Sequence, residues 1–463
     1  MTSRLLTTLL LTLAPLAASA ADPTPAELRA RAAVLIKQLG SERYVERRAA
    51  QNELAEIGLV AFDQLARARE HRDPEVAAAA ERLLAGITVY WIQQQDPPGV
   101  RDNLERYGQL DTQRRVAVAR ELRRLPGYDG ADALARIVRY DLSEKVSARA
   151  ALEAMELAAK DTSRFSNRQP SPRVPEEGLA TLHEVLAEQD HLYGASERRG
   201  VMWLQLFTEQ QHEPRAALRQ WRQELEEVRT RIARGVAKLD ETTLEGLTWN
   251  LFRIELLAGE QEPAAKTALQ LVTADTRRPT ATLDKTLQWM LDVEANDAID
   301  QVLASSDGLP LLKTKDGLYL AARTRWRQGQ HARAGKLAQQ ALDLDAEPGL
   351  QAGRTIQGRL AAGRALELEG FPDWANAEYA RQIEKSGVLS PEGVVAARFL
   401  AESLHDAAHY EQAQAVLAPI LREIRASPEN RRVYKETLND LVALDEIIGL
   451  EAYNRALASR EAG

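Results

Sequence analysis

Cysteine is absent from the 463 residues, which excludes disulfides, thiolate metal sites, thiol catalysis and lipidation of an amino-terminal cysteine. Aromatic residues are scarce, at 5%, too few to fill a large core without help from small aliphatic side chains. No stretch reaches the roughly 18 consecutive apolar residues that a membrane-spanning helix needs. The G-x-S-x-G elbow, the Walker loop and the G-x-G-x-x-G fingerprint are missing as well, and with them the usual signatures of serine hydrolases and nucleotide-binding enzymes. Nor is there an excess of positive charge. The formal net charge is -8, whereas general nucleic-acid binding needs a basic face that replaces counterions.

What is present is a mixture of strong helix formers. Alanine, leucine, arginine and glutamate dominate and 28% of the residues are charged, so an all-α fold is expected. The amino terminus has its own pattern: Arg4, an apolar run from Leu5 to Leu13, Pro15, then Ala18-Ser19-Ala20. A charged start, a short apolar middle and an A-x-A site are the marks of a secretory signal cleaved after Ala20, which predicts a periplasmic or secreted protein. The competing reading is a retained anchor. Loss of Arg4 takes the net charge of the mature chain to -9.

Residues 23–158 read as short, alanine-rich helices. Ser41 is expected to cap a helix that ends at Gly58. Asp73-Pro74-Glu75-Val76 starts another, with Ala79, Ala80 and Leu83 on its stripe, and Ser143-Glu144-Lys145-Val146 repeats the chemistry ahead of Ala150, Ala151 and Met155. Residues 159–178, rich in serine and proline, read as a linker. From Leu244 onward helix hairpins recur. Gly259-Glu260-Gln261, Asn296-Asp297, Gln328-Gly329-Gln330, Gly370-Phe371-Pro372 and Asp406-Ala407-Ala408 mark the turns. Ala265, Ala298, Ala334, Ala375 and Ala413 open the second helices, at spacings of 33, 36, 41 and 38. Pro348 and Pro428 close units, and a helix with Tyr434, Leu438, Leu441 and Val442 is expected as a cap. Trp249, Trp289, Trp326 and Trp374 fall one to nearly every pair and are expected to fill the core, so that Trp326→Ala should cost about 3 to 5 kcal/mol.

The D-P-x-V start with its alanine pair resembles the HEAT-repeat family over about 130 residues. Within a second domain spanning 179–458, the stretch from about 244 to 428, through its Gly329 turn and the small Ala322, Ala334 and Ala341, resembles the tetratricopeptide repeat, a helix hairpin of about 34 residues. Together these resemblances imply a right-handed α-solenoid of helix hairpins, HEAT-like and then tetratricopeptide-like. Families of this kind are mostly scaffolds whose concave face holds a protein or peptide, which makes Arg323, Arg325 and Gln357, on first helices of the pairs, the candidate binding residues.

Catalytic chemistry is weakly represented. His405-Asp406-Ala407-Ala408-His409 spaces two imidazoles as one helix face of a metal site would, but an H-E-x-x-H protease needs glutamate after the first histidine, and the hairpin turn falls between the two. Arg114, Arg115, Arg120, Arg123 and Arg124 form the densest basic cluster and point several ways around one helix, as a solvated face does. No cofactor, nucleic acid or transmembrane segment is expected. The chain reads as an exported, non-enzymatic scaffold. The rival is an envelope hydrolase or carbohydrate-processing enzyme built on a helical superhelix.

Overall fold

The computed structural model describes residues 23–160, 171–196, 198–210, 212–235, 239–305, 310–344, 360–438 and 444–461. Among them every regular element is a helix, and no helix is long and apolar enough to cross a membrane. The chain forms two compact units that divide between Leu247 and Thr248.

The first unit contains α1 (Pro25–Gln38), α2 (Tyr44–Ile57), α3 (Phe62–Ala68), α4 (Pro74–Gly86), α5 (Pro98–Leu104), α6 (Thr112–Arg124), α7 (Ala131–Tyr140), α8 (Glu144–Ala158), α9 (Glu176–Tyr193), α10 (Arg199–Glu209) and α11 (Pro214–Ala233). Helix starts follow local chemistry. Thr24 and Glu27 form a reciprocal capping box ahead of α1. Asp73 accepts from the Glu75 N–H at 2.9 Å while Pro74 opens α4, and Asp111 accepts from Arg114 N–H at 2.9 Å. Ser41 does not cap α2: Arg43 holds that position, and Ser41 instead donates to Glu46 at 2.6 Å. Gly58 does end α2, at φ +61°. In α4 the buried leucine is Leu84, not Leu83.

Neighbours in sequence are neighbours in space: α1 packs on α2, α3 on α4, and α6 and α7 on α8. Of the expected linker, 161–170 lie outside the described residues. Helices α9 and α10 then pack back on α7 and α8, which carries this unit past residue 178 to Leu247. Its core mixes apolar side chains such as Leu35, Leu54, Phe62 and Leu65 with buried charge. Arg136 meets Asp96 at 2.7 Å, both nearly inaccessible. Asp141 accepts from Tyr107 Oη at 2.6 Å and pairs with Arg115 at 2.6 Å. Glu153, fully buried, takes Arg149 and Arg123 at 2.5 Å each. The arginine cluster of α6 is therefore not simply solvated. Arg115 and Arg123 reach inward to buried carboxylates, because a carboxylate enclosed without a cation would be far costlier than the pair.

The second unit contains the rest of α12 (Glu241–Leu257), then α13 (Gln261–Ala274), α14 (Pro279–Asp292), α15 (Asn296–Ala304), α16 (Lys315–Arg327), α17 (His331–Asp343), α18 (Ala361–Leu368), α19 (Pro372–Ser386), α20 (Pro391–Asp406), α21 (Tyr410–Ala426), α22 (Pro428–Leu438) and α23 (Leu444–Glu461). Five alternate turns, from that between α12 and α13 to that between α20 and α21, are alike. In each the N–H of Glu260, Ala295, Gln330, Phe371 or His409 donates to the carbonyl five residues earlier at 2.8 to 2.9 Å. The residue before each donor, Gly259, Glu294, Gly329, Gly370 or Ala408, has φ between +56° and +85°. This is the left-handed cap that satisfies the last carbonyls of a helix and lets the chain double back.

The turns recur at steps of 35, 35, 41 and 38 residues. Five residues beyond each lies a fully buried side chain, Ala264, Ile299, Ala334, Ala375 or Ala413. The register is thus one residue away from that read from Ala265 and Ala298. The helix that covers the end of the series is α23, which packs on α21 and buries Ile447, while Tyr434 of α22 donates to the Leu389 carbonyl at 3.1 Å. Pro348, Leu441 and Val442 lie outside the described residues.

Candidate functional site

Helix α16 sits centrally among these hairpins and presents most of the predicted binding residues. Thr314 caps it, accepting from the Gly317 N–H at 3.2 Å. Tyr319, Leu320, Ala321, Ala322 and Thr324 are buried, which leaves Arg323, Arg325 and Trp326 to the flanks and tip. Arg323 lies between Asp284 of α14, at 3.8 Å, and Glu369, just past α18. Burial lowers its pKa and Asp284 opposes the shift. Arg325 bonds Asp300 of α15 and Gln328, the latter at 2.9 Å. Arg327 reaches Gln288 of α14. These arginines tie one hairpin to its neighbours, and a partner's acidic group would have to share them with Asp284, Asp300 and Glu369. Gln357 lies outside the described residues.

Trp326 is not a core residue. It is 43% exposed, whereas Trp289 keeps the expected place at 2%. The reason is its position in the last turn of α16: the Gly329 reversal takes the chain away directly after it. There its ring meets His331, the first residue of α17, at 4.2 Å, Trp374 at 5.8 Å and Phe371 at 6.2 Å. Phe371 and Trp374 stack at 4.7 Å and 8°, the offset face-to-face arrangement that aromatic pairs favour. Leu368, at the end of α18, is 81% exposed. Two consecutive hairpins therefore bring aromatic rings together at their turn edges, partly open to solvent. Phe371-Pro372-Asp373-Trp374 was the clue in the sequence, since it departs from the small or polar residues that turns of this kind usually carry.

The two imidazoles are separated by the turn between α20 and α21. His405 Nδ1 lies 2.7 Å from Asn454 Oδ1, with its ring beside Tyr410 and Tyr453 at 5.4 and 5.3 Å. His409 is exposed and forms the cap of α21. Among the described residues no group of three histidine, aspartate or glutamate side chains could hold a metal ion. The aromatic cluster is instead suited to covering an apolar ring or a proline, with arginines beside it for polar contacts. No family model, curated protein or solved structure matches the chain.

Proposed function

We propose that the protein is an exported, non-enzymatic scaffold. In this reading the hairpins of the second unit stack as a right-handed, tetratricopeptide-like superhelix, after a HEAT-like first unit, and a protein or peptide partner is held by α16 and the hairpin edges beside it. The observation that carries this is the open cluster of Trp326, Phe371 and Trp374. Trp326 stands 43% exposed at the tip of α16, and grouped solvent-facing aromatics are the usual anchors of protein recognition. Arg323 and Arg325 flank the anchor and offer charge-assisted hydrogen bonds to the partner's backbone or carboxylates. Export is supported by the Arg4 to Ala20 pattern.

The test compares affinity capture from envelope extract by the wild type and by Trp326→Ala. The wild type should retain a specific protein that the variant releases. Because the ring is half-exposed, the variant should lose no more than about 1.5 kcal/mol of stability. Capture of the same proteins by both, or of none by the wild type, would overturn the scaffold reading. Mass spectrometry of the chain from a periplasmic fraction should find it to begin at Ala21; an uncleaved chain confined to the cytosol would refute export.

A further inference from the structure

Charge is unevenly divided among the five hairpins of the second unit. From the start of the first helix to the end of the second, α12–α13, α14–α15, α18–α19 and α20–α21 each carry five aspartates and glutamates and at most three lysines and arginines. The α16–α17 hairpin reverses this, with six basic residues against two acidic ones in a chain of net charge -8. It is also the hairpin that leaves Trp326 exposed.

Half of that positive charge is already answered. Lys315 pairs with Glu378 at 2.6 Å, Arg323 lies between Asp284 and Glu369, and Arg325 meets Asp300. Arg327, Arg333 and Lys336 differ: all three are exposed, and none has a carboxylate within ion-pair distance among the described residues. Arg327 donates to the Gln288 amide oxygen, and Arg333 to that of Gln330 at 3.1 Å, contacts that leave both charges uncompensated. Their places in the chain put them at one end of the hairpin. Arg327 adjoins Trp326 at the close of α16, while Arg333 and Lys336 stand in the first two turns of α17, which opens with His331 against the Trp326 ring. An open aromatic corner and three unanswered cations thus share that end.

We propose, resting on the scaffold reading, that the partner presents here a short acidic segment with one bulky apolar side chain. That side chain lies against Trp326 and the Phe371–Trp374 stack, and carboxylates on either side of it meet Arg327, Arg333 and Lys336. Aromatic anchors supply most of the affinity in such a contact, and complementary charge supplies orientation and speed of encounter. A cationic segment would be drawn to the ring faces but repelled by the arginines and lysine around them. A nucleic-acid strand fits less well, because a long polyanion would run on to neighbouring hairpins that each carry five acidic residues.

Fluorescence anisotropy of the full chain with labelled probes tests this. The first probe is a short peptide with phenylalanine between glutamates. In the second, lysines replace the glutamates; in the third, glycine replaces the phenylalanine; the fourth is oligothymidylate. The first should bind about tenfold more tightly than either altered peptide, and its affinity should fall as salt is raised. Arg333→Glu combined with Lys336→Glu, at exposed positions, should weaken it about tenfold with an unchanged melting temperature, and Trp326→Ala should weaken it by a similar factor. The proposal is overturned if the first peptide fails to bind folded wild-type protein at millimolar concentration, if the lysine peptide binds equally well, if the charge reversal leaves affinity unchanged, or if oligothymidylate binds more tightly. In each case the scaffold reading is still decided separately, by whether Trp326→Ala releases a captured protein.

Discussion

The two units solve the same problem, packing helices against helices, with different materials. In the first, α7 and α8 bury Arg136, Arg139 and Glu153 at 3% exposure or less, and each is met by a charge from another element or the next turn. The second also encloses charge, at Arg253, Glu255 and Glu451, but it adds one turn geometry used five times and a fully buried small or branched residue at a fixed distance from it. A repeated hairpin fixes its own register, since each pair receives the same shape from its neighbour. Helices that do not repeat lack that guide. We attribute the buried ion pairs of the first unit to this need: an arginine enclosed with one carboxylate excludes alternative packings in which either group would be left alone.

The largest effect should come from breaking the ionic core. Asp141→Ala would strand Arg115 and the Tyr107 hydroxyl, now held at 2.6 Å each, and should cost about 3 to 5 kcal/mol. Hydrogen exchange should show lost protection in α6, α7 and α8, with the hairpins of the second unit little changed. If chemical denaturation finds less than about 1 kcal/mol, the ion pairs are incidental and the contrast fails.

The matching lesion in the second unit is steric. Gly363 of α18 faces the Tyr379 ring so closely that a Cβ there would lie 2.5 Å from a ring carbon, and that tyrosine is fully buried. Gly363→Ala should destabilise by about 2 to 3 kcal/mol. Tyr379→Leu in the same chain should recover part of the loss. A double variant no better than the single one would show that the clash is absorbed elsewhere.

Acid should distinguish the units as well. Burial disfavours the charged form of Asp240 in the first unit, but the Lys145 ammonium at 2.9 Å and the Thr242 and Thr243 hydroxyls prevail and hold its carboxyl well below the usual carboxylate range. A depressed folded pKa adds stability above the unfolded value of about 3.9, and this is lost as pH falls through the folded one. With the group about a third exposed, the term is about 1 kcal/mol after screening. Wild type should therefore exceed Asp240→Asn by that amount at pH 6, with the gap narrowing steadily as the pH falls below the unfolded value. A gap independent of pH would point to shape instead of charge.

The all-helical class, the five turns and the buried faces of the hairpins were legible because they depend on local signals: glycine where φ must be positive, proline in first turns, apolar residues at helical spacing. Register slipped by one at Ala265 and Ala298 because each stands beside a second buried apolar residue, Ala264 or Ile299, and only the turn hydrogen bonds say which one is aligned. Burial of Trp326 was misjudged for a related reason. Periodicity gives a residue's direction around its helix but not whether a neighbouring layer still covers the last turn. The ionic core of the first unit was invisible altogether: Arg115 and Arg123 stand on α6, but Asp141 and Glu153, the carboxylates that they meet, come from later parts of the chain that only the fold brings beside them.

The smallest effect bears on the shared turn itself. Glycine fills the left-handed position in three of the five turns, but Glu294 and Ala408 occupy it in the others, at φ +56° and +60°. A side chain there costs about 1 kcal/mol in contact with the neighbouring carbonyl, partly offset because glycine loses more freedom on folding. Ala408→Gly should thus raise stability by about 0.5 to 1 kcal/mol, and Gly329→Ala, where no neighbouring atom lies within 4 Å of the added carbon, should lower it by a similar amount through backbone strain alone. Paired melting curves of the two variants would measure one turn twice, once in each direction. Shifts of equal size and opposite sign would mark the hairpins as interchangeable in this respect. A neutral Ala408→Gly would mean that the last turn, unlike the third, has already relaxed around its side chain.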